Sequence, residues 1–253
     1  MKKSLMILAS VALGASMASA QNVESKNIVG FGQADVAPGY AIVGCNFQTM
    51  GGSNLVSIQE LFPTNELYAD VGGDPEVSDQ ILVYADDVYT PYFYCNFGNE
   101  GDPQWYDDTY EIPSAKKFGR GEGFWYLRAT ASDATTVTVS GQVPTNSSYA
   151  HAVLPTGYSI IANAYPNETS LNALGINAYA DAGGDPEVSD QILVYVAGVY
   201  TPYFFCDFGN EGDPQWYDDT YEIPVSIGLK VGQGAWYLRN NVSSATWTEN
   251  KPY

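Results

Sequence analysis

Past the first twenty residues, apolar and polar positions alternate in short runs broken by Gly, Pro, Asn and Asp, the period-2 pattern of half-buried strands. Residues 80–95 (QILVYADDVYTPYFYC) form two runs rich in β-branched and aromatic side chains around Asp86-Asp87, and residues 191–206 repeat them around Ala197-Gly198. Both read as β-hairpins, the second more clearly because Gly accepts a positive φ. Residues 40–47, 123–128 and 135–143 (TTVTVSGQV) predict further strands. Residues 54–61 depart from this pattern. Leu55, Ile58 and Leu61 recur at helical spacing behind Ser53 as an N-cap, with residues 170–174 as the counterpart.

The pattern occurs twice. Residues 68–128 align without a gap on residues 179–239 at an offset of 111, and over 68–113 the two stretches share 40 of 46 positions. Identity at that level excludes chance. Upstream, PGYAIVGCNF (38–47) matches TGYSIIANAY (156–165) at an offset of 118, so the first copy holds seven more residues between Phe47 and Tyr68. Identity drops sharply after residue 113, where only Gly121 and Gly123 persist through residue 124, as Gly232 and Gly234. Either function or recent gene conversion accounts for the central block. The predicted fold is all-β in the main: two tandem copies of a small antiparallel sandwich or barrel-like domain, each with one short helix. The copies are expected over residues 21–143 and 144–253, joined through the Pro144-Thr145-Asn146-Ser147-Ser148 stretch.

The N-terminus adds an address. Lys2 and Lys3, an apolar run over residues 5–17 and Ala18-Ser19-Ala20 describe a secretory signal peptide over residues 1–20. The mature chain is therefore expected to cross the inner membrane to the periplasm, cell surface or medium. No later run of 18 apolar residues predicts a membrane helix. Removing two lysines leaves 8 basic residues against 29 acidic ones, a formal charge of 8 − 29 = −21. That charge repels phosphate backbones and anionic lipid, which excludes nucleic acid as an expected partner.

Export permits disulfides. Cys95 and Cys206 are repeat equivalents, whereas Cys45 is matched by Asn163. Two readings stand: a Cys45–Cys95 bridge, leaving Cys206 free or available for self-association, or three buried thiols. His151 is the single histidine and has no partner in the first copy, so it reads as an exposed strand residue and histidine catalysis is not expected.

Two acid-rich loops carry the remaining chemistry. The first places Asp70, Asp74, Glu76 and Asp79 around Gly72-Gly73, repeated as Asp181, Asp185, Glu187 and Asp190. Closely spaced carboxylates with loop carbonyls are Ca²⁺ ligands, although the spacing is not that of an EF-hand; a solvated loop of Asx-turns is the plainer reading. The second, NFGNEGDPQWYDD (96–108), sets Gln104, Trp105 and Tyr106 beside Asp107 and Asp108, repeated as Gln215, Trp216, Tyr217, Asp218 and Asp219. Aromatic rings flanked by amides and carboxylates can take a sugar, or the rings can anchor the loop to the core.

Taken in order, NIVGFGQADVAPGYAIVGCNF, SDQILVY with VYTPYF, GRGEGFWYLR and TTVTVSGQV resemble an uncharacterised group of secreted tandem-repeat β-domain proteins of Verrucomicrobia and related bacteria. The resemblance implies export and a β-rich fold, and no activity. The acid-rich insertions are departures from it. The expected function is non-enzymatic binding of a glycan or cell-envelope component, Ca²⁺-assisted or not. The alternatives are a self-assembling structural protein and a glycoside hydrolase drawing on Glu100, Asp102, Asp107 and Asp108.

Overall fold

The computed structural model describes residues 28–253, except 64, 65, 131, 223, 241 and 242. The signal-peptide reading falls on residues 1–20, outside the described residues. The described residues are mostly β, in several antiparallel sheets, and among them no helix reaches seven residues.

The first half contributes β1 (Val29–Val36), β2 (Gly39–Gly44), β3 (Leu55–Ser57), β4 (Gln80–Ala85), β5 (Val88–Cys95), β6 (Gln104–Tyr106), β7 (Lys117–Gly119), β8 (Gly123–Arg128) and β9 (Thr135–Gln142). The second repeats them as β10 (Ser148–Leu154), β11 (Gly157–Ala162), β12 (Thr169–Ser170), β13 (Gln191–Val196), β14 (Val199–Cys206), β15 (Gln215–Tyr217), β16 (Gly228–Leu229), β17 (Gly234–Arg239) and β18 (Ala245–Asn250). Two five-stranded sheets result, ordered β2-β8-β4-β5-β6 and β11-β17-β13-β14-β15. Each is accompanied by two ladders, β1-β9 with β3-β7 and β10-β18 with β12-β16. No ladder between these strands joins one before residue 144 to one after it.

Local chemistry explains the turns. Asp86 and Asp87 both take positive φ (50° and 61°), as do Ala197 and Gly198 (51° and 86°), the two left-handed residues that a tight two-residue hairpin demands. The helical spacing at residues 54–61 yields no α-helix. Leu55 enters β3, paired with Gly119, and only Ile58–Glu60 winds into a 3₁₀ turn; Leu171–Ala173 does the same in the second copy. Ser53 bonds to Leu55 instead of capping a helix. Ile58 and Leu61 are fully buried, so their spacing served core contact, which a 3₁₀ turn satisfies equally.

Each five-stranded sheet uses both faces. Along β4, Ile81 and Val83 enter a core with Val43, Tyr94, Trp105, Phe124 and Tyr126. The alternate residues Leu82 and Tyr84 face the other copy and meet Ile160, Trp236, Leu193 and Tyr195 around Ile42 and Trp125. The contacts are reciprocal: Tyr84 packs edge-on to Trp236 at 4.8 Å, and Trp125 edge-on to Tyr195 at 4.9 Å. Glycines let the backbones close, with Gly44 N–H donating to Gly232 O at 2.9 Å and Ala162 N–H to Gly121 O at 3.0 Å. A Cβ on Gly44 would stand 2.4 Å from that of Ala162.

The structure decides between the two cysteine readings and corrects the reading of His151. All three cysteines are free and buried. Cys45 lies in the main core, while Cys95 lies across the sheet with Phe93 and Tyr106, so no Cys45–Cys95 bridge forms. Burial pushes both thiols up to about 12. His151 is not an exposed strand residue. It is buried on β10, stacked on Trp247 at 3.7 Å, bonded to Glu249 at 3.0 Å, and closely approached by Gly121 of the first copy.

That burial has a pH consequence. Desolvation lowers the His151 pKa despite the opposing pull of Glu249. The unfolded chain therefore takes up a proton near the ordinary value of about 6.5 while the folded chain resists it, so stability is full above that pH and falls as pH drops below it. Between about pH 7 and pH 5, where histidine titrates, the melting temperature of the wild type should fall more than that of His151→Gln. Equal slopes by calorimetry would rule this out.

Candidate functional site

The acid-rich loops are held by their own side chains. The Asp70 carboxylate accepts from Gly72 N–H at 2.7 Å and Asp74 N–H at 3.3 Å. Asp74 accepts from Glu76 N–H at 3.0 Å and starts the 3₁₀ turn Pro75–Val77. Asp185 does the same for Glu187. These are Asx-turns, formed because the short carboxylate reaches backbone two residues on. Asp74, Glu76, Asp185 and Glu187 are exposed.

Asp79 and Asp190 do not join them. Both are completely buried. Asp79 accepts from Tyr126 Oη (2.5 Å), Arg128 Nη1 (2.6 Å), Tyr68 N–H (2.8 Å) and Ala129 N–H (2.9 Å). Asp190 accepts from Tyr237 Oη, Asn240 N–H and Asp181 N–H. The acids grouped by spacing are thus divided, one carboxylate per copy serving the core. Among the described residues no three His, Cys, Asp or Glu side chains are grouped to hold a metal.

The second loop is organised by Asp102. It accepts from Phe97 N–H (2.8 Å), Asn99 N–H (2.9 Å) and Tyr106 Oη (2.5 Å), and Asp213 repeats the arrangement. Burial pushes the Asp102 carboxyl up, but the bonds from Tyr106, Asn99 and Phe97 outweigh it and hold the group below the usual range.

The aromatic platform expected at Trp105 and Tyr106 does not exist at the surface. Trp105, Tyr106, Trp216 and Tyr217 are each no more than 1% exposed. Strand β6 sends Trp105 into the main core and Tyr106 beneath its own loop, against Phe97 at 5.1 Å. Gln59 clamps the Trp105 backbone through both amide atoms (2.8 and 3.0 Å), and Asn172 holds the Trp216 N–H. Gln104 and Gln215 turn back onto the carbonyls of Glu100 and Glu211. Of the predicted set, Asp108 and Asp219 are exposed, and Asp107 and Asp218 are half-exposed and bonded to Thr109 and Thr220.

Other rings occupy the surface. Phe97 and Tyr110 are 38% and 36% exposed, Phe208 and Tyr221 37% and 38%. Tyr110 lies 5.3 Å from Phe93 and 6.2 Å from Phe97, and the second copy repeats this around Phe204. Tyr110 and Tyr221 sit at φ 57° and 58°, a left-handed conformation rare for a bulky side chain. Burial first, then the charges of Cys95, Asp108, Glu76 and Asp74, raises the Tyr110 phenol. Acids of both loops therefore bear on one ring. The repetition of Phe97 and Tyr110 as Phe208 and Tyr221 was visible in the sequence, but nothing there distinguished them from the buried Trp-Tyr pair.

Cys206 is buried against Ser189 Oγ at 3.3 Å, and burial raises its thiol. A disulfide to another molecule through Cys206 would require this core to open. No protein-family model, curated protein or solved structure matches the chain.

Proposed function

We propose that this is a secreted, non-enzymatic binding protein that presents one acid- and aromatic-lined surface twice and takes a glycan or another cell-envelope component through it. The observation that carries this reading is the half-exposed Phe97–Tyr110 pair, within the electrostatic influence of Asp74, Glu76 and Asp108 and repeated as Phe208–Tyr221. Sugar sites combine an apolar ring face with a few placed polar groups. Strained residues tend to be kept where function uses them. Two equal weak sites on one chain gain avidity without new contacts. A calcium contribution would draw on the exposed acids and not on Asp79. A self-assembling structural protein is the competing class, and a glycosidase is the enzyme alternative, for which a general acid needs a raised carboxyl whereas Asp102 is held low.

Tyr110→Asn with Tyr221→Asn separates function from stability. Asn tolerates left-handed backbone, so the lost ring contacts are partly offset by relief of strain, and stability should move by no more than about 1 kcal/mol. Binding on a glycan array, run in EGTA and in excess Ca²⁺, should disappear in the double variant and weaken in either single one. Undiminished binding by the double variant would remove this surface from consideration.

A further inference from the structure

The reciprocal packing of the two copies creates two equivalent clefts, one on each side of the shared core. One is lined by the β4–β5 turn (Tyr84, Asp86), residues 119–123 and strands β10 and β11. The other is lined by the β13–β14 turn (Tyr195, Ala197, Gly198), Lys230, Gln233 and strands β1 and β2. Each therefore takes its turn from one copy and its strands from the other. Their volumes differ, at about 290 Å³ and about 980 Å³.

The side chains on the two sides differ as well. In the smaller cleft Arg120 stands where the other copy has Val231. Its guanidinium lies over Tyr149 at 4.1 Å and Tyr165 at 4.9 Å, donates to Asn146 Oδ1 at 3.0 Å, and is 1% exposed. His151 replaces Gln33 and is buried beside it. The chain's own rings and cation thus fill this side. On the other side Val231 packs against Gly32 and the first copy's core and does not line the cleft.

The charge at the rim changes with the volume. Asp86, Asp87 and Glu122 around the small cleft correspond to Ala197, Gly198 and Gln233 around the large one, and Gly119 corresponds to Lys230. Only six positions differ between the copies over residues 68–113, and three of them are the consecutive turn residues 85–87. Divergence in an otherwise fixed block is concentrated at this rim. Lys230 is exposed and enters none of the four ion pairs among the described residues. In a chain of strongly negative charge, the wide cleft lacks the acids of its twin, and its cation is the exposed Lys230 where the twin has the buried Arg120.

We propose that the wide cleft binds one small amphipathic anion per molecule, its apolar body against Tyr40, Pro38 and Tyr195 and its acidic head toward Lys230, with Gln33 and Gln233 as hydrogen-bonding groups. Its size, its apolar and aromatic lining and its place between the two copies are those of a small-molecule site. The site shares no residue with the duplicated loops and stands whether or not they bind a glycan.

The test uses the whole mature chain and two probes with one apolar skeleton, anionic 1-anilinonaphthalene-8-sulfonate and neutral N-phenyl-1-naphthylamine. Fluorescence titration should show one saturable sulfonate site per chain and weaker binding of the neutral probe. Ala197→Asp with Gly198→Asp rebuilds the turn of the first copy, whose Asp86 and Asp87 already hold positive φ in this fold. This swap, and Lys230→Glu separately, should weaken the sulfonate at least tenfold and leave the neutral probe unchanged. The absence of a saturable site, two equal sites, or a sulfonate affinity untouched by the swap would overturn the site. Equal affinity for the two probes would overturn the anion as its ligand.

Discussion

Trp105→Ala should cost about 3–5 kcal/mol of folding stability, and Trp216→Ala about the same, because each removes a large ring from a filled core. Trp105 packs at 5.3 Å from Tyr94 and Trp216 at 5.1 Å from Phe205, in separate core clusters, so the two costs should add. Domains of ordinary size hold about 5–15 kcal/mol in all. Each single variant should therefore remain folded with a lowered urea midpoint, and the double variant should be largely unfolded at 25 °C. The shared Tyr84–Trp236 and Trp125–Tyr195 contacts couple the copies, so a single variant should still unfold in one transition. A double variant with wild-type circular dichroism and an unchanged midpoint would contradict the burial of these rings. Loss of ligand binding in that variant would say nothing about recognition, which is why the exposed Tyr110 and Tyr221 are the informative positions.

The hairpins, the repeat and the all-β class were legible because each is written in local chemistry: alternation, β-branched runs and left-handed turn residues. The short helix was misread because Leu55, Ile58 and Leu61 satisfy helical spacing over too few residues to separate a 3₁₀ turn from an α-helix. Trp105 and Tyr106 were misplaced for a different reason. On a strand, neighbours face opposite ways, so an adjacent Trp-Tyr pair on a bare strand would expose one ring; here the loop 96–103 folds back and covers the second. His151 and Arg120 were illegible because the residues that bury them, Trp247 and Gly121 around His151 and Tyr149 and Tyr165 around Arg120, are distant in sequence, and such contacts leave no local periodicity. Asp79 was grouped with the loop acids by proximity in sequence alone. Its neighbour Gln80 already begins β4, which commits Asp79 to the sheet and the core.

Asp79 leads to the second large effect. A fully buried carboxylate persists only where its charge and lone pairs are met, and Asp79 has Arg128, Tyr126 and two backbone N–H groups to meet them. Burial first, then the Asp79 charge, pushes the Tyr126 phenol far up, so it remains a donor at any pH the protein meets. Asp79→Ala would leave the Arg128 guanidinium buried beside an unpaired phenol, at a cost of about 3–5 kcal/mol. Removing Arg128 as well should cost less than the sum, since the second change deletes the charge that the first one stranded. The second copy supplies an internal control. There Arg239 lies 3.6 Å from Asp190, against 2.6 Å for Arg128 and Asp79, although both arginines also donate to two backbone carbonyls. The coupling energy from a double-mutant cycle in urea should therefore be larger for Asp79–Arg128 than for Asp190–Arg239. Equal couplings would mean that the carboxylate is held by its backbone donors and the tyrosine, with the arginine contributing packing alone.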